Sequence, residues 1–242
     1  MNFERFEREF SNLANLFRKE GFFKGGMLAS DFKEVDLYAK FLDYRLYLRI
    51  ITSRLESEIT EFISINDSFL ECFRRGTQPN LEKAEELITV LSKISLDFSD
   101  FYIHTRIFLD ILNMCIKISF KNAGNRNWEV MKDSISGLLN ERKMQTYKRQ
   151  IDPKFFEGLE KGISWVCYLR DSRDRLVHEM HHFVYTDTRQ DEKGYDLIGK
   201  VGRTWGIETV KPILKEVQGF LDNLSDLMKY LHESLPRTQQ QL

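Results

Sequence analysis

The chain is poor in the residues that break helices and in the residues that cross-link. Its 242 residues include only four prolines, 13 glycines and three cysteines. So few prolines and glycines exclude a scaffold of many short strands and tight turns, and favour long helices. The cysteines, Cys72, Cys115 and Cys167, are widely spaced and odd in number. That pattern excludes a disulfide framework and a cysteine-based zinc site, and points to a reducing cytoplasm. Charge of one sign is also lacking: the formal net charge is −1, so the whole surface is not a general polyanion binder. There is no long apolar run. The richest stretch, Ile111–Ile118, is interrupted by Asn113 and Lys117 and is too short to span a bilayer. The N-terminal Met-Asn-Phe-Glu-Arg-Phe-Glu-Arg is charged and amphipathic, unlike a secretion signal. No glycine-rich phosphate loop, G-x-S-x-G elbow or cysteine nucleophile arrangement is present.

What is present is helical periodicity. Hydrophobic residues make up 42% and charged residues 30%, enough apolar material for one large core or two small ones. Phe3, Phe6, Phe10, Leu13 and Phe17 are spaced for a helix over 2–19. Gly21 and Gly25-Gly26 end it, and Ser30 or Asp31 can cap the next. Leu37, Phe41, Tyr44, Leu48, Ile51, Leu55, Ile59 and Phe62 step by three and four. They mark one amphipathic helix on the order of 40 Å long or more. After a turn at Gly76–Asn80, helices are expected over 81–94 and 98–121, then a loop at Asn122–Asn127 and a shorter helix over 128–140. Pro153 can start the following helix. Phe183, Tyr185, Thr186, a polar turn through Gly194, then Tyr195, Leu197 and Ile198 read as a β-hairpin or a structured loop. A last helix is expected from about Glu208 to Glu233, with Ile213, Val217, Phe220, Leu224, Leu227 and Leu231 inward. The expected organisation is an N-terminal helix and glycine-rich connector (1–29), a mostly α-helical bundle (30–235) with the hairpin inserted before the last helix, and a disordered tail (236–242).

One segment carries charge where a helix should be apolar. With Ile163 at zero and 100° per residue, Phe156, Leu159, Val166 and Cys167 fall within about 60° of it. Arg170, Asp174 and His178 continue the same stripe, and Arg173 sits about 80° off it. Charges facing inward cost free energy unless they are paired or used. A basic stretch precedes this segment: Arg142, Lys143, Lys148, Arg149 and Lys154, against Asp152 alone.

Arg173-Asp174-x-x-x-His178 within Leu169-Arg-Asp-Ser-Arg-Asp-Arg-Leu-Val-His-Glu resembles the signature of the HEPN superfamily. The likeness covers about ten residues, and a helical context agrees with it. These are helical bundles known as metal-independent ribonucleases, toxins of toxin–antitoxin pairs, defence effectors, and nucleotide-binding or inactive relatives. The resemblance implies an elongated bundle, and a homodimer in which two motif helices meet across the axis and form a composite cleft. It implies RNA as substrate and, as another partner, an antitoxin or a defence protein. It calls for no cofactor and no membrane. RNA carries its own nucleophile, the 2′-OH, and an imidazole can take or give the proton. Arg173 would hold the phosphoryl oxygens, His178 would be the general acid/base, and Asp174, one turn earlier, could orient the imidazole. Arg170 could pair with Asp174 or touch phosphate. Arg142, Lys143, Lys148 and Arg149 could guide the RNA backbone.

Two other readings use the same residues. Arg170, Asp174 and His178 also fit an i, i+4 polar ladder in a non-catalytic, HEPN-like assembly module. His178-Glu179-Met180-His181-His182 fits H-E-x-x-H, in which His178 and His182 would bind zinc and Glu179 would activate water for peptide hydrolysis. His104, on an apolar face with Phe101 and Phe108, is expected to be a hydrogen-bonded core histidine.

Overall fold

The computed structural model describes residues 3–19, 31–78, 80–138, 140–171, 182–186, 197–201 and 211–237. The helices are α1 (Glu4–Lys19), α2 (Asp31–Arg74), α3 (Leu81–Asn122), α4 (Ile135–Leu138), α5 (Glu141–Gln150), α6 (Pro153–Gly162), α7 (166–171) and α8 (Ile213–Ser234). The fold is helical, as the scarcity of proline and glycine indicated. The expected break in α3 near residue 95 is absent. Nothing between Ile94 and Phe98 forbids a helix, both of those residues are buried, and the Ser99 hydroxyl bonds back to the Ser95 carbonyl at 2.6 Å. α2 and α3 end in the same way. Gly76 and Gly124 take positive φ (69° and 78°), and the next amide reaches back across the turn: Thr77 N–H to Cys72 O at 2.9 Å, Asn125 N–H to Phe120 O at 3.0 Å. Only glycine adopts that backbone without strain, and it satisfies carbonyls that a helix end leaves open.

Three short strands, β1 (His182–Thr186), β2 (Leu197–Val201) and β3 (Lys211–Pro212), pair antiparallel in that order, with His182 opposite Val201 and Ile198 opposite Pro212. α8 therefore begins later than the Glu208 expected. The residue before a proline is pushed out of helical geometry, and Lys211 precedes Pro212.

Contacts group the chain into two units. α2, α3 and α8 contribute residues to both. The first contains the described parts of Leu48–Ile103 and Asp171–Gly219. Its core includes Leu48, Leu55 and Phe62 of α2, Ile94, Phe98 and Phe101 of α3, and Ile213 and Val217 of α8. The Tyr102 hydroxyl donates to the Glu216 carboxylate inside it.

The second unit contains Asn2–Tyr47, His104–Arg170 and the described part of Phe220–Leu242. α1 buries Phe6, Phe10, Leu13 and Phe17 in this unit. Phe10 and Phe41 stack at 4.4 Å, and Phe41 also meets Phe17 and Phe108 at 5.5 Å each. Phe155 and Phe156 of α6 pack on Phe120 of α3 at 5.1 and 5.9 Å. The Tyr230 hydroxyl of α8 donates to the Phe155 carbonyl at 2.6 Å, and its ring lies where a β-carbon on Gly158 would stand, 2.4 Å from that hydroxyl. Gly158→Ala is therefore expected to destabilise the protein by about 1–3 kcal/mol, because tyrosine must leave its bond. A urea midpoint unchanged from wild type would contradict this packing.

The stretch 128–140 is not one helix. It is a single 3-10 turn (Trp128–Val130), an extended Met131, and the one-turn α4. The cause is tertiary: side chains of α3 bond the polar groups of this segment.

Candidate functional site

α5 and α6 start as the sequence suggests. Asn140 caps α5 by accepting Lys143 N–H at 3.2 Å, and Asp152 caps α6 by accepting Phe155 N–H at 3.0 Å ahead of Pro153. α6 then stops at Gly162. Residues 163–165 form a turn, closed by the Trp165 indole N–H on the Gly162 carbonyl at 2.9 Å. This break resets the helical phase. Ile163, Val166 and Leu169 are buried, while Cys167 is exposed. The stripe leading toward the motif is therefore Ile163–Val166–Leu169, and the single 100° register assumed from Phe156 onward does not hold. Arg170 is half-buried at the end of this approach.

Arg173, Asp174, His178 and Glu179 lie outside the described residues. His182, the second histidine of the zinc reading, opens β1. Among the described residues there is no group of three or more histidine, cysteine or acidic side chains able to hold a metal.

The basic stretch folds into α5. Met144 and Tyr147 face the core, and Arg142, Lys143 and Arg149 are exposed. Arg142 and Arg149 lie two turns apart on one face, roughly 10 Å along the axis. Lys148 is not open for a ligand: its ammonium sits 2.6 Å from the Glu160 carboxylate and is largely covered.

Sequence reasoning missed a polar ladder on α3. Arg106, Asp110, Asn113 and Lys117 recur at helical spacing and tie down the segment after Trp128. Arg106 donates to the Ser136 hydroxyl (2.6 Å), Asp110 accepts Ile135 N–H (2.8 Å), Asn113 donates to the Lys132 carbonyl (2.7 Å) and Lys117 donates to Asp133 (2.5 Å). These bonds to α3 replace those of the helix expected over 128–140. The sequence signal is the steps of four, three and four among polar residues in the mostly apolar second half of α3. Lys117 and Lys121 also lie over the Trp128 ring, at 5.5 and 5.8 Å.

His104 is not held as expected. It stacks on Tyr47 at 5.4 Å, and its buried Nδ1 has no hydrogen-bond partner.

A second missed feature lies in the first unit. Asp97 is fully buried, with one oxygen on Arg54 at 2.5 Å; its other oxygen and one oxygen of Glu58 are both buried and unbonded. Two carboxylates cannot donate to each other, but one proton between them supplies the bond. Burial first, then the charge of Asp97, pushes Glu58 up to about 7, against the opposing pull of Arg54 and Lys93; burial also raises Asp97, with Asp100 adding to it. The sign follows. Below about pH 4.5 Glu58 is protonated folded or unfolded. Between 4.5 and 7 only the folded chain keeps the proton, so stability falls as pH rises, and above 7 the loss is complete. Glu58→Gln is expected to remove about 1–2 kcal/mol of that loss, discounting for the solvent that reaches Glu58. Urea titrations of both proteins at pH 5 and pH 8 measure it, and equal pH dependence in the two would refute the shared proton.

No family model, curated protein or solved structure matches the chain. Among the described residues, no helix is long and apolar enough to cross a membrane.

Proposed function

We propose that the chain is a HEPN-like, metal-independent endoribonuclease of the toxin or defence type, working as a homodimer. The observation that carries this is the Arg173-Asp174-x-x-x-His178 spacing, following directly on a helical approach whose inner side is Ile163, Val166 and Leu169 and whose last described turn carries the half-buried Arg170. The exposed arginines of α5 add a surface suited to a phosphate backbone.

His178 takes the 2′-OH proton as the O2′–P bond forms. The P–O5′ bond breaks, and the proton passes to O5′. The products are a 2′,3′-cyclic phosphate and a 5′-OH. Arg173 spreads its planar fork over the phosphoryl oxygens as charge grows. Asp174 fixes the ring. Incubating the purified chain with mixed RNAs in EDTA tests this: cuts ending in cyclic phosphate are expected, and intact RNA under all ionic conditions would remove the proposal.

A non-catalytic assembly module is favoured by one observation, the exposed apolar ridge Leu42, Leu46 and Tyr47 on α2, each 36–48% exposed. An intact dimer that leaves every RNA uncut would select it.

A further inference from the structure

We propose that the recess between α3 and the segment around α4 is an oxyanion site that takes a phosphate group. It shares Lys143 with the basic stretch that the cleavage reading assigns to the RNA backbone, but none of the motif residues takes part, so it goes beyond that reading. The recess has a volume of about 460 Å³ and is lined by Asp110, Lys132, Asp133, Ser134, Asn140 and Lys143.

Its carboxylates are already spoken for. Asp110 accepts Ile135 N–H at 2.8 Å and faces the Arg106 guanidinium at 3.4 Å, and Asp133 holds Lys117 at 2.5 Å. Those two cations are largely covered, with side chains 12% and 17% exposed, while the Asp110 and Asp133 side chains are more open, at 35% and 73%; each carboxylate charge is balanced by its own cation. Lys132 and Lys143 are exposed, and neither has a carboxylate partner among the described residues. The lining and its paired cations therefore hold two positive charges in excess, the complement of a phosphate dianion.

The neutral groups are also set to donate. Ser134 Oγ already accepts Gly137 N–H at 3.2 Å, which leaves its hydrogen for a ligand. Asn140 Oδ1 is used by Lys143 N–H, which leaves the amide NH2. Gly137 packs directly against the Lys132 stem, where an added β-carbon would fall 2.6 Å from Lys132 Cβ. The volume exceeds that of a phosphate ion, so the group can arrive attached to a sugar.

The phosphate can belong to an RNA backbone or to a free monoester, and binding measurements separate them. The full chain is titrated with inorganic phosphate, with 5′-AMP, and with a single-stranded 2′-O-methyl RNA that 2′-OH chemistry cannot cut. Oligonucleotide binding that the Lys132/Lys143 double alanine variant loses assigns the recess to a backbone; binding of 5′-AMP or inorganic phosphate that the same variant loses assigns it to a free phosphate group. In either case Lys132→Ala with Lys143→Ala is expected to weaken binding at least tenfold, to lower the salt dependence by about two phosphate contacts if the ligand is the oligonucleotide, and to leave helix content unchanged. The paired Lys→Arg variant should keep most of the affinity. No binding by any of the three probes, or equal binding by the double alanine variant, overturns the site. Because no bond is cut, either result leaves the cleavage proposal standing on its own test.

Discussion

Phe41→Ala is expected to cost the protein about 3–5 kcal/mol. Phe41 is fully buried and sits at the hub of the second unit's aromatic cluster, stacked on Phe10 at 4.4 Å and in ring contact with Phe17 and Phe108. Alanine removes the transfer free energy of the ring and leaves a void that helix backbones cannot close. It also removes ring pairings worth about 0.5–1.5 kcal/mol each. Domains of this size have only about 5–15 kcal/mol in total. The urea midpoint should fall accordingly, whereas Leu81→Ala, at a site 75% exposed, should move it by no more than about 0.5 kcal/mol. Similar effects from the two would mean that the cluster is not the core.

His178→Ala is expected to slow RNA cleavage by about 10²–10⁴-fold, the usual contribution of a positioned acid/base. Arg173→Ala should cost about 10²–10³-fold through lost charge stabilisation. Arg173→Lys should recover little, because an ammonium cannot present two parallel N–H groups to phosphoryl oxygens. Free imidazole added to His178→Ala should restore part of the rate; a purely structural histidine would not respond. Circular dichroism and the urea midpoint separate lost chemistry from lost fold.

Local pattern made the helices legible and left tertiary pinning hidden. In α1, α2 and α8 the apolar steps of three and four land on buried residues: Phe6, Phe10, Leu13 and Phe17; then Leu48, Leu55 and Phe62; then Leu224, Leu227 and Leu231. Four things did not follow from pattern. The turn at 163–165 shifts the phase of residues 166–171, so Cys167 faces out. The segment 131–138 looks helical in isolation, but α3 side chains take its polar groups first. Lys148 reads as a ligand for RNA until Glu160, on the next helix, is seen beside it. Glu58 of α2 and Asp97 of α3 are 39 residues apart, a distance over which no periodicity speaks. The ladder on α3 was the one missed feature with a sequence signal, and polar residues at helical spacing within an apolar helix are worth reading as a stripe.

The most direct measurement compares one end-labelled RNA with the same oligonucleotide carrying a single 2′-deoxy sugar at the cut position, both incubated with the chain in EDTA. If Arg173 and His178 drive attack by the RNA's own hydroxyl, the RNA is cut to a cyclic phosphate and the deoxy version stays whole at that position. Cutting of both substrates, or cutting that stops when metal is chelated, would contradict it.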